Sequence, residues 1–343
     1  MEKELGFGII GCGFISNHHA QAILHTEGAC LIGATDVNEQ NAEAFCKKFG
    51  ITHFHSAQEM MSSDKVDIVC ICTPSGFHAQ NALEVIRAGK HVLVEKPLAL
   101  NVEDCELLIS EAEKHGVKAS VVSQCRFHKT SKTLKKLVED GSLGRIVTAD
   151  LTMKYYRSPE YYLASPWRGT WEHDGGGALM NQGIHGIDIL LSVMGKVRSV
   201  HGLARTLARK IETEDTAAAI VEYENGALGL IQGTTSVYPG YPRNFVVSGT
   251  KGTVGIAENA FTEWNIEGEA IPADIEIGKA KNSGASTPHD LNFAEHVPHI
   301  EEMVRAIRED VPLTSSFEDG RNAVRLITSI YESSRTGKTI YFD

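Results

Sequence analysis

The 343-residue sequence contains no apolar run near the ~20 residues that a membrane-spanning helix needs. It shows no signal peptide, since Met1-Glu2-Lys3-Glu4 leads directly into an apolar segment. Positive charge is in deficit: 33 Lys and Arg stand against 44 Asp and Glu, a net charge of −11. Such a balance argues against nucleic acid or an anionic membrane as main partner, although local arginines can still hold a small anion. The seven cysteines (12, 30, 46, 70, 72, 105 and 125) include no CxxC pair and no zinc-type histidine spacing. A zinc-dependent alcohol dehydrogenase is thereby disfavoured and no metal is expected. The cysteines read as small buried residues of a reducing, cytoplasmic protein. There are no internal repeats and no low-complexity segment.

What is present is ordinary for a globular protein, with 42% hydrophobic and 22% charged residues. The length suggests about two domains. The first strand, Leu5 to Ile10, ends in Gly11-Cys12-Gly13-Phe14-Ile15-Ser16, and a helix follows from about Ile15 to His25. The next strand, Leu31 to Thr35, ends in Asp36. Strand, glycine turn, helix, strand and acid make the layout of a dinucleotide-binding βαβ unit. Gly11 permits the tight turn, and Gly13 lets backbone N–H groups approach a pyrophosphate at the helix N-terminus. Ser16 replaces the third glycine with another small side chain. Asp36 lies at the offset of an acid that holds the ribose 2′-OH, and its charge would repel a 2′-phosphate. NAD is therefore expected, with NADP the less favoured cofactor.

The alternation continues through Val66–Ile71, the turn Thr73-Pro74-Ser75, a helix from Phe77 with His78 in its first turn, and the strand His91–Val94. That strand runs into Glu95-Lys96-Pro97. A lysine at the carboxyl end of a buried parallel strand is costly unless it has a partner or a task, and ligands of open α/β sheets lie outside those ends. Lys96 is the first catalytic candidate; the alternative is a strand-end lysine reaching solvent. His78 is either crevice-facing or an ordinary helix-start histidine. A strand at Lys118–Ser123 completes six β-units. The pattern predicts a doubly wound parallel sheet of Rossmann type over 1–124.

From residue 125 to 343 the pattern predicts a second α/β domain with a large open, mostly antiparallel sheet. Its strands are Ile146–Tyr156, Val197–Arg205, Thr216–Tyr223, Ala227–Val237, Asn244–Ser248 and Thr253–Ala257. A sheet with helices on one face needs cover on the other, which predicts pairing into dimers or tetramers. Between Tyr155 and Trp171 lies an aromatic stretch holding Tyr156, Arg157, Trp167 and Arg168. It suits a sugar or nucleotide through stacking and charge-assisted hydrogen bonds, or else packs upon itself as a loop. Gly175-Gly176-Gly177 opens a helix running to Met194, on which Asn181, His185 and Asp188 share one stripe. Gly183 and Gly186 flank His185 and leave room for something to approach it. His289, His296 and His299 sit near the start of the penultimate helix; they read as charged-helix surface, the alternative being that one of them faces the substrate.

In their order, Gly11–Ser16, Asp36, Thr73-Pro74-Ser75-x-x-His78, Glu95-Lys96-Pro97 and the Gly175–Asp188 segment resemble the Gfo/Idh/MocA family (glucose–fructose oxidoreductase and inositol dehydrogenase), over essentially the whole chain. The resemblance implies NAD(P)-dependent oxidation or reduction at a sugar or polyol carbon. It makes Lys96 the catalytic acid–base, within a Lys-Pro bond that is often cis, and gives His185 a substrate contact that assists proton transfer. It places Gly11, Gly13, Phe14, Ile15, Asp36, Thr73, Pro74, Ser75, His78, Glu95, Trp167 and Arg168 around the cofactor. Asn181 stands where many members carry aspartate; it cannot take a proton but can orient a hydroxyl. With the Trp167–Trp171 stretch it is similar to members acting on nucleotide sugars, and Tyr156 and Arg157 are further substrate-binding candidates. An NADPH-dependent keto-sugar reductase and a non-catalytic NAD- or sugar-sensing regulator are the alternatives.

Overall fold

The computed structural model describes residues 3–278 and 292–342. It divides into two compact units, Met1–Gln124 with Asn292–Arg321, and Cys125–Leu291 with Asn322–Asp343. Division at residue 124 therefore omits a late segment that returns to the first unit.

The first unit is built on six parallel strands: β1 (Leu5–Ile10), β2 (Ala29–Thr35), β3 (Thr52–His53), β4 (Ile68–Ile71), β5 (His91–Val94) and β6 (Ala119–Val121). Their order is β3-β2-β1-β4-β5-β6. The winding reverses between β1 and β4, the switch point at which such sheets bind ligands. Helices on both faces bury the centre of the sheet, so β4 is buried throughout and reads as an uninterrupted apolar run. The helices α1 (Ser16–Leu24), α2 (Glu39–Phe49), α3 (Ala57–Met61), α4 (His78–Arg87) and α5 (Val102–His115) alternate with these strands.

The late segment carries α10 (Val297–Glu309), whose Ile300, Met303 and Val304 join the core formed by Phe7, Ile9, Ala20 and Ile23. His296 and His299 lie in phase with that apolar stripe and are buried. The expected surface position of these two histidines is thus corrected: they belong to the buried face of an amphipathic helix. His289 lies outside the described residues.

The second unit holds an eight-stranded sheet in the order β13-β12-β11-β7-β10-β9-β8-β14. The strands are β7 (Ile146–Lys154), β8 (Val197–Arg205), β9 (Thr216–Tyr223), β10 (Leu228–Thr234), β11 (Asn244–Gly249), β12 (Gly252–Ala257), β13 (Ala260–Ile266) and β14 (Ile340–Tyr341). Among these strands of the described residues, only β7 and β10 pair in parallel. Short helices α7 (Pro159–Leu163) and α8 (Trp171–Asp174) interrupt the aromatic stretch. Further helices are α6 (Lys129–Glu139), α9 (Ile184–Met194) and α11 (Phe317–Thr336). On one face, Leu151 and Met153 of β7 pack towards α9. On the other, Leu203, Ile220, Leu228 and Leu230 are each more than half exposed. Leu230 and Ile220 are direct cross-strand partners and so share that face. No helix among the described residues is long and apolar enough to cross a membrane.

Candidate functional site

In the first unit the turns flagged by the sequence form one connected rim. Gly11 has φ +95°, and a Cβ there would sit 2.8 Å from the carbonyl carbon and oxygen of Cys72 and 2.9 Å from Thr73 N. Only glycine fits, because the β4 turn crosses it at backbone contact. A Cβ on Gly13 would meet nothing within 4 Å. The turn is therefore open where a phosphate would approach. Ser16 Oγ donates to Gly13 O at 2.6 Å, stapling the turn to the first residue of α1. Phe14 is half exposed and Ile15 partly buried behind it.

Asp36 at the end of β2 accepts Cys12 N–H on Oδ2 at 2.7 Å and Asn38 N–H on Oδ1 at 2.8 Å. Each carboxylate oxygen keeps a second lone pair for a ribose hydroxyl. These residues fit a bound dinucleotide: a glycine turn open at Gly13, and an anchored carboxylate at the ribose distance along the chain.

His78 is buried and spans the other two turns. Its Nε2 lies 2.9 Å from Thr73 O and its Nδ1 2.6 Å from Pro97 O. Burial lowers its pKa below the ordinary histidine range, against the pull of the two carbonyls. It therefore clamps the Thr73-Pro74-Ser75 turn to the Lys96-Pro97 turn. Thr73 and Pro74 are half-buried, and Ser75 is buried. The Lys96–Pro97 bond is cis.

Lys96 leaves the carboxyl end of β5 half-buried. Its neighbour Glu95 is buried and points inward. Glu95 Oε1 lies 2.8 Å from His19 Nε2 and 3.3 Å from His296 Nε2, and Oε2 accepts Lys96 N–H at 3.3 Å. Burial alone would raise the carboxyl pKa; the two imidazoles outweigh it and hold the group well below the usual carboxylate range. Glu95 thus fixes the main chain of Lys96. His19 and His296 were not singled out for this, since they lie 76 and 201 residues from Glu95.

In the second unit, the segment that carries Asn181 and His185 begins with a wide π-type turn, Ala178–Gly183, before α9. Such turns break the 3.6-residue phase and recur at functional sites. The continuous helix expected from Gly175 is corrected accordingly. Glu214 anchors the turn, accepting Gly177 N–H at 2.9 Å and Leu179 N–H at 2.8 Å, and Tyr331 OH donates to it at 2.8 Å. Asn181 Nδ2 donates to buried Asp174, and Gln182 Nε2 donates to Asn181 Oδ1 at 2.8 Å. Asn181 is thereby oriented on both sides of its amide. His185 is half-buried.

Asp188 does not share a ligand-facing stripe with these two. It forms a buried, two-pronged ion pair with Arg126, at 2.8 and 2.7 Å. Nor do Gly183 and Gly186 leave room for a ligand. A Cβ on Gly183 would lie 2.8 Å from Ala178 O, and one on Gly186 would lie 2.6 Å from Met153 Sδ and 2.9 Å from Arg243 Cδ. Their small size lets α9 press against β7, which corrects the reading of the glycines as an approach path.

In the aromatic stretch, Arg157 is buried and donates to Gln182 Oε1 at 3.2 and 2.6 Å and to Tyr156 O at 2.9 Å. Tyr156 is half-buried and meets Tyr238 edge-on at 5.3 Å. Arg168 lies over the Tyr161 ring at 4.2 Å and over the Trp167 ring at 5.5 Å. Cation–aromatic stacking, with short helices at both ends, makes this stretch an ordered platform.

Residues 5–123 match the family model described as an oxidoreductase family with an NAD-binding Rossmann fold, and residues 131–255 match the GFO/IDH/MocA C-terminal domain. The chain belongs to the Gfo/Idh/MocA oxidoreductases. Among solved structures, this Gfo/Idh/MocA protein is 34% identical to the WlbA dehydrogenase of Bordetella pertussis, covering 99% of both chains with TM-score 0.88. That structure is a complex with NADH and UDP-GlcNAcA. A WlbA dehydrogenase from Chromobacterium violaceum, in complex with the same two molecules, is 31% identical over 100% of this chain and 97% of that one, with TM-score 0.89. The myo-inositol 2-dehydrogenase of Thermotoga maritima is 29% identical over 93% of each chain. This Gfo/Idh/MocA protein thus has an NAD-binding Rossmann domain, and its relatives include sugar and polyol dehydrogenases.

Proposed function

We propose that this protein is an NAD-dependent dehydrogenase acting on a secondary alcohol of a sugar, with Lys96 as the acid–base. The carrying observation is the rim of the first unit. Gly11 against Cys72 and Thr73, and His78 between the Thr73 and Pro97 carbonyls, bring the glycine turn and the Lys96 turn to one end of the parallel sheet. A bound NAD⁺ would supply the hydride acceptor at its nicotinamide. Gly13 would admit the pyrophosphate, and Asp36 would take the ribose hydroxyls and disfavour a 2′-phosphate. Lys96 Nζ, when neutral, takes the proton from the substrate hydroxyl; in the reverse direction its ammonium returns it. Glu95 keeps the Lys96 main chain in place.

His185 and Asn181 are proposed substrate contacts, with Asn181 orienting a hydroxyl without accepting its proton. Arg157 would support them through Gln182. Tyr156, Trp167 and Arg168 would stack on the ligand or the nicotinamide end of the cofactor. A nucleotide sugar of the UDP-GlcNAcA kind, the molecule bound by the two WlbA dehydrogenases, is the first substrate to test. The exposed sheet face bearing Leu203, Ile220, Leu228 and Leu230 is proposed to pair with a second copy of the chain.

The test follows NADH absorbance with UDP-GlcNAcA, free sugars and inositols as substrates, using NAD⁺ and NADP⁺ in parallel. Turnover with NAD⁺ is expected, and Lys96→Met should lower kcat by about 10²–10⁴-fold while NADH still binds. Near-normal turnover in that variant overturns the acid–base assignment. No hydride transfer with any substrate would favour a nucleotide-sensing role instead.

A further inference from the structure

Among the described residues, two groups bring a pair of imidazoles and a carboxylate together: His19, Glu95 and His296 in the interior, and Glu39, His53 and His55 at the margin of the parallel sheet. In the interior group both Nε2 atoms already aim at one oxygen of Glu95, and all three side chains are closed off from solvent. In the marginal group His55 Nδ1 is within hydrogen-bond distance of Glu39 Oε1, whereas His53 Nε2 is not. His53, on the two-residue edge strand β3, and His55, two positions on, follow the alternation of extended chain, and their rings stand 4.7 Å apart. Glu39, the first residue of α2, places Oε1 2.9 Å from His55 Nδ1 and 3.7 Å from His53 Nε2. The second distance is too long for a hydrogen bond. His53 Nε2 is also shielded from solvent and has no hydrogen-bond partner. The His53 nitrogen thus faces the Glu39 carboxylate across a gap that a bridging ion would close.

The spacing suits a cation. A tetrahedral zinc ion with bonds of about 2.0–2.1 Å holds its donor atoms about 3.3 Å apart. That value falls between the two measured separations. The side chains of Glu39 and His55 are 61% and 71% exposed, so an ion has access from solvent and water to complete its shell. Glu59 adds a second carboxylate beside them, its Oε2 accepting His55 N–H at 2.8 Å. Two imidazoles and one carboxylate favour zinc, cobalt, nickel or copper over magnesium or calcium.

We propose that Glu39, His53 and His55 form a binding site for a divalent transition-metal ion of the zinc type. Occupied, it ties the first turn of α2 to the outermost strand of the sheet, three residues beyond Asp36. The site does not depend on the enzymatic reading. It is inconspicuous in sequence because no cysteine takes part and the carboxylate precedes the two histidines by 14 and 16 residues.

To test it, the full chain is stripped with chelator and titrated with Co²⁺, read by its visible absorption, and with Zn²⁺, read by calorimetry. One equivalent should bind and raise the melting temperature. His53→Ala and His55→Ala should each weaken binding at least tenfold and remove the thermal shift; Glu39→Gln should weaken it less. Circular dichroism of these surface variants checks that they are folded. One equivalent that survives the double substitution His53→Ala/His55→Ala overturns the assignment, as does the lack of saturable binding at millimolar cation.

Discussion

Replacing Glu95 by glutamine removes one buried charge at almost constant side-chain size. In the native protein Oε1 faces two imidazole donors and Oε2 faces the Lys96 N–H. Hydrogen bonds to a charged acceptor contribute about 1.5–3 kcal/mol and neutral ones about 0.5–1.5, so two such changes at Oε1 cost about 1–3 kcal/mol together. The amide NH₂ must then take the place of Oε2, donor against donor, and an unpaired buried N–H costs about 1–3 kcal/mol more. Glu95→Gln should therefore lower unfolding free energy by about 2–6 kcal/mol, measured by urea denaturation near about pH 8.

Acidification gives a second readout. Burial depresses the folded-state pKa of His296, while Glu95 pulls it up. The native imidazole stays neutral where the unfolded one begins to charge, so unfolding takes up a proton and stability falls as pH drops through about 6.5. Without the carboxylate, the folded pKa falls further and the loss extends to lower pH. His91, also lowered by burial, does not feel Glu95 and cancels in the difference, whereas His78, lowered by burial and pulled up in part by Glu95, falls further in the variant and adds to the loss with the same sign. Glu95 itself is depressed, so its contribution is present above about pH 4.5 and is lost only as pH falls towards its folded-state value. A variant within about 0.5 kcal/mol of wild type, with an unchanged pH profile, would refute this account of the cluster.

Three other outcomes follow from the same geometry. Asp188→Ala removes the two-pronged carboxylate from the buried Arg126 guanidinium and should cost about 3–5 kcal/mol in denaturant unfolding, whereas Arg126→Met/Asp188→Leu should cost much less; equal losses would show that the ion pair is not the cause. Gly11→Ala, at φ +95° and 2.8 Å from the Cys72 carbonyl, should lower the melting temperature, whereas Gly13→Val should fold normally and bind NADH at least tenfold more weakly. Leu230→Asp on the open sheet face should shift mass in light scattering towards the monomer, and an unchanged mass would remove that face from the assembly.

Much of the first unit was legible because parallel strands buried on both faces are written as apolar runs. Punctuation by Gly11, Asp36, Pro74 and Lys96-Pro97 gave its order. The rim residues followed from the same pattern, since they are local to strand ends. What stayed hidden is long-range. Glu95 is completed by His19 and His296, Asp188 by Arg126, and the π-type turn by Glu214 and Tyr331. No periodicity records such pairings. Strand β13 was missed because its buried residues, Phe261, Trp264 and Ile266, break the alternation where the pairing with β12 shifts register between Gly255 and Ile256. Gly183, at the end of the π-type turn, and Gly186 of α9 misled for a different reason: poor helix formers mark either a ligand path or a tight crossing, and here Met153 and Arg243 supply the crossing.

The return of residues 292–321 to the nucleotide-binding half bears on how the chain is made. A ribosome that has extruded the six parallel strands still holds back Ile300, Met303 and Val304, which close their core, and His296, which steadies the acid next to Lys96. The nascent half must wait, with an apolar flank open, until most of the polypeptide has emerged. An expression fragment cut after Gln124 would carry that open flank permanently, and it should be insoluble unless the late helix is supplied as a fused or added peptide.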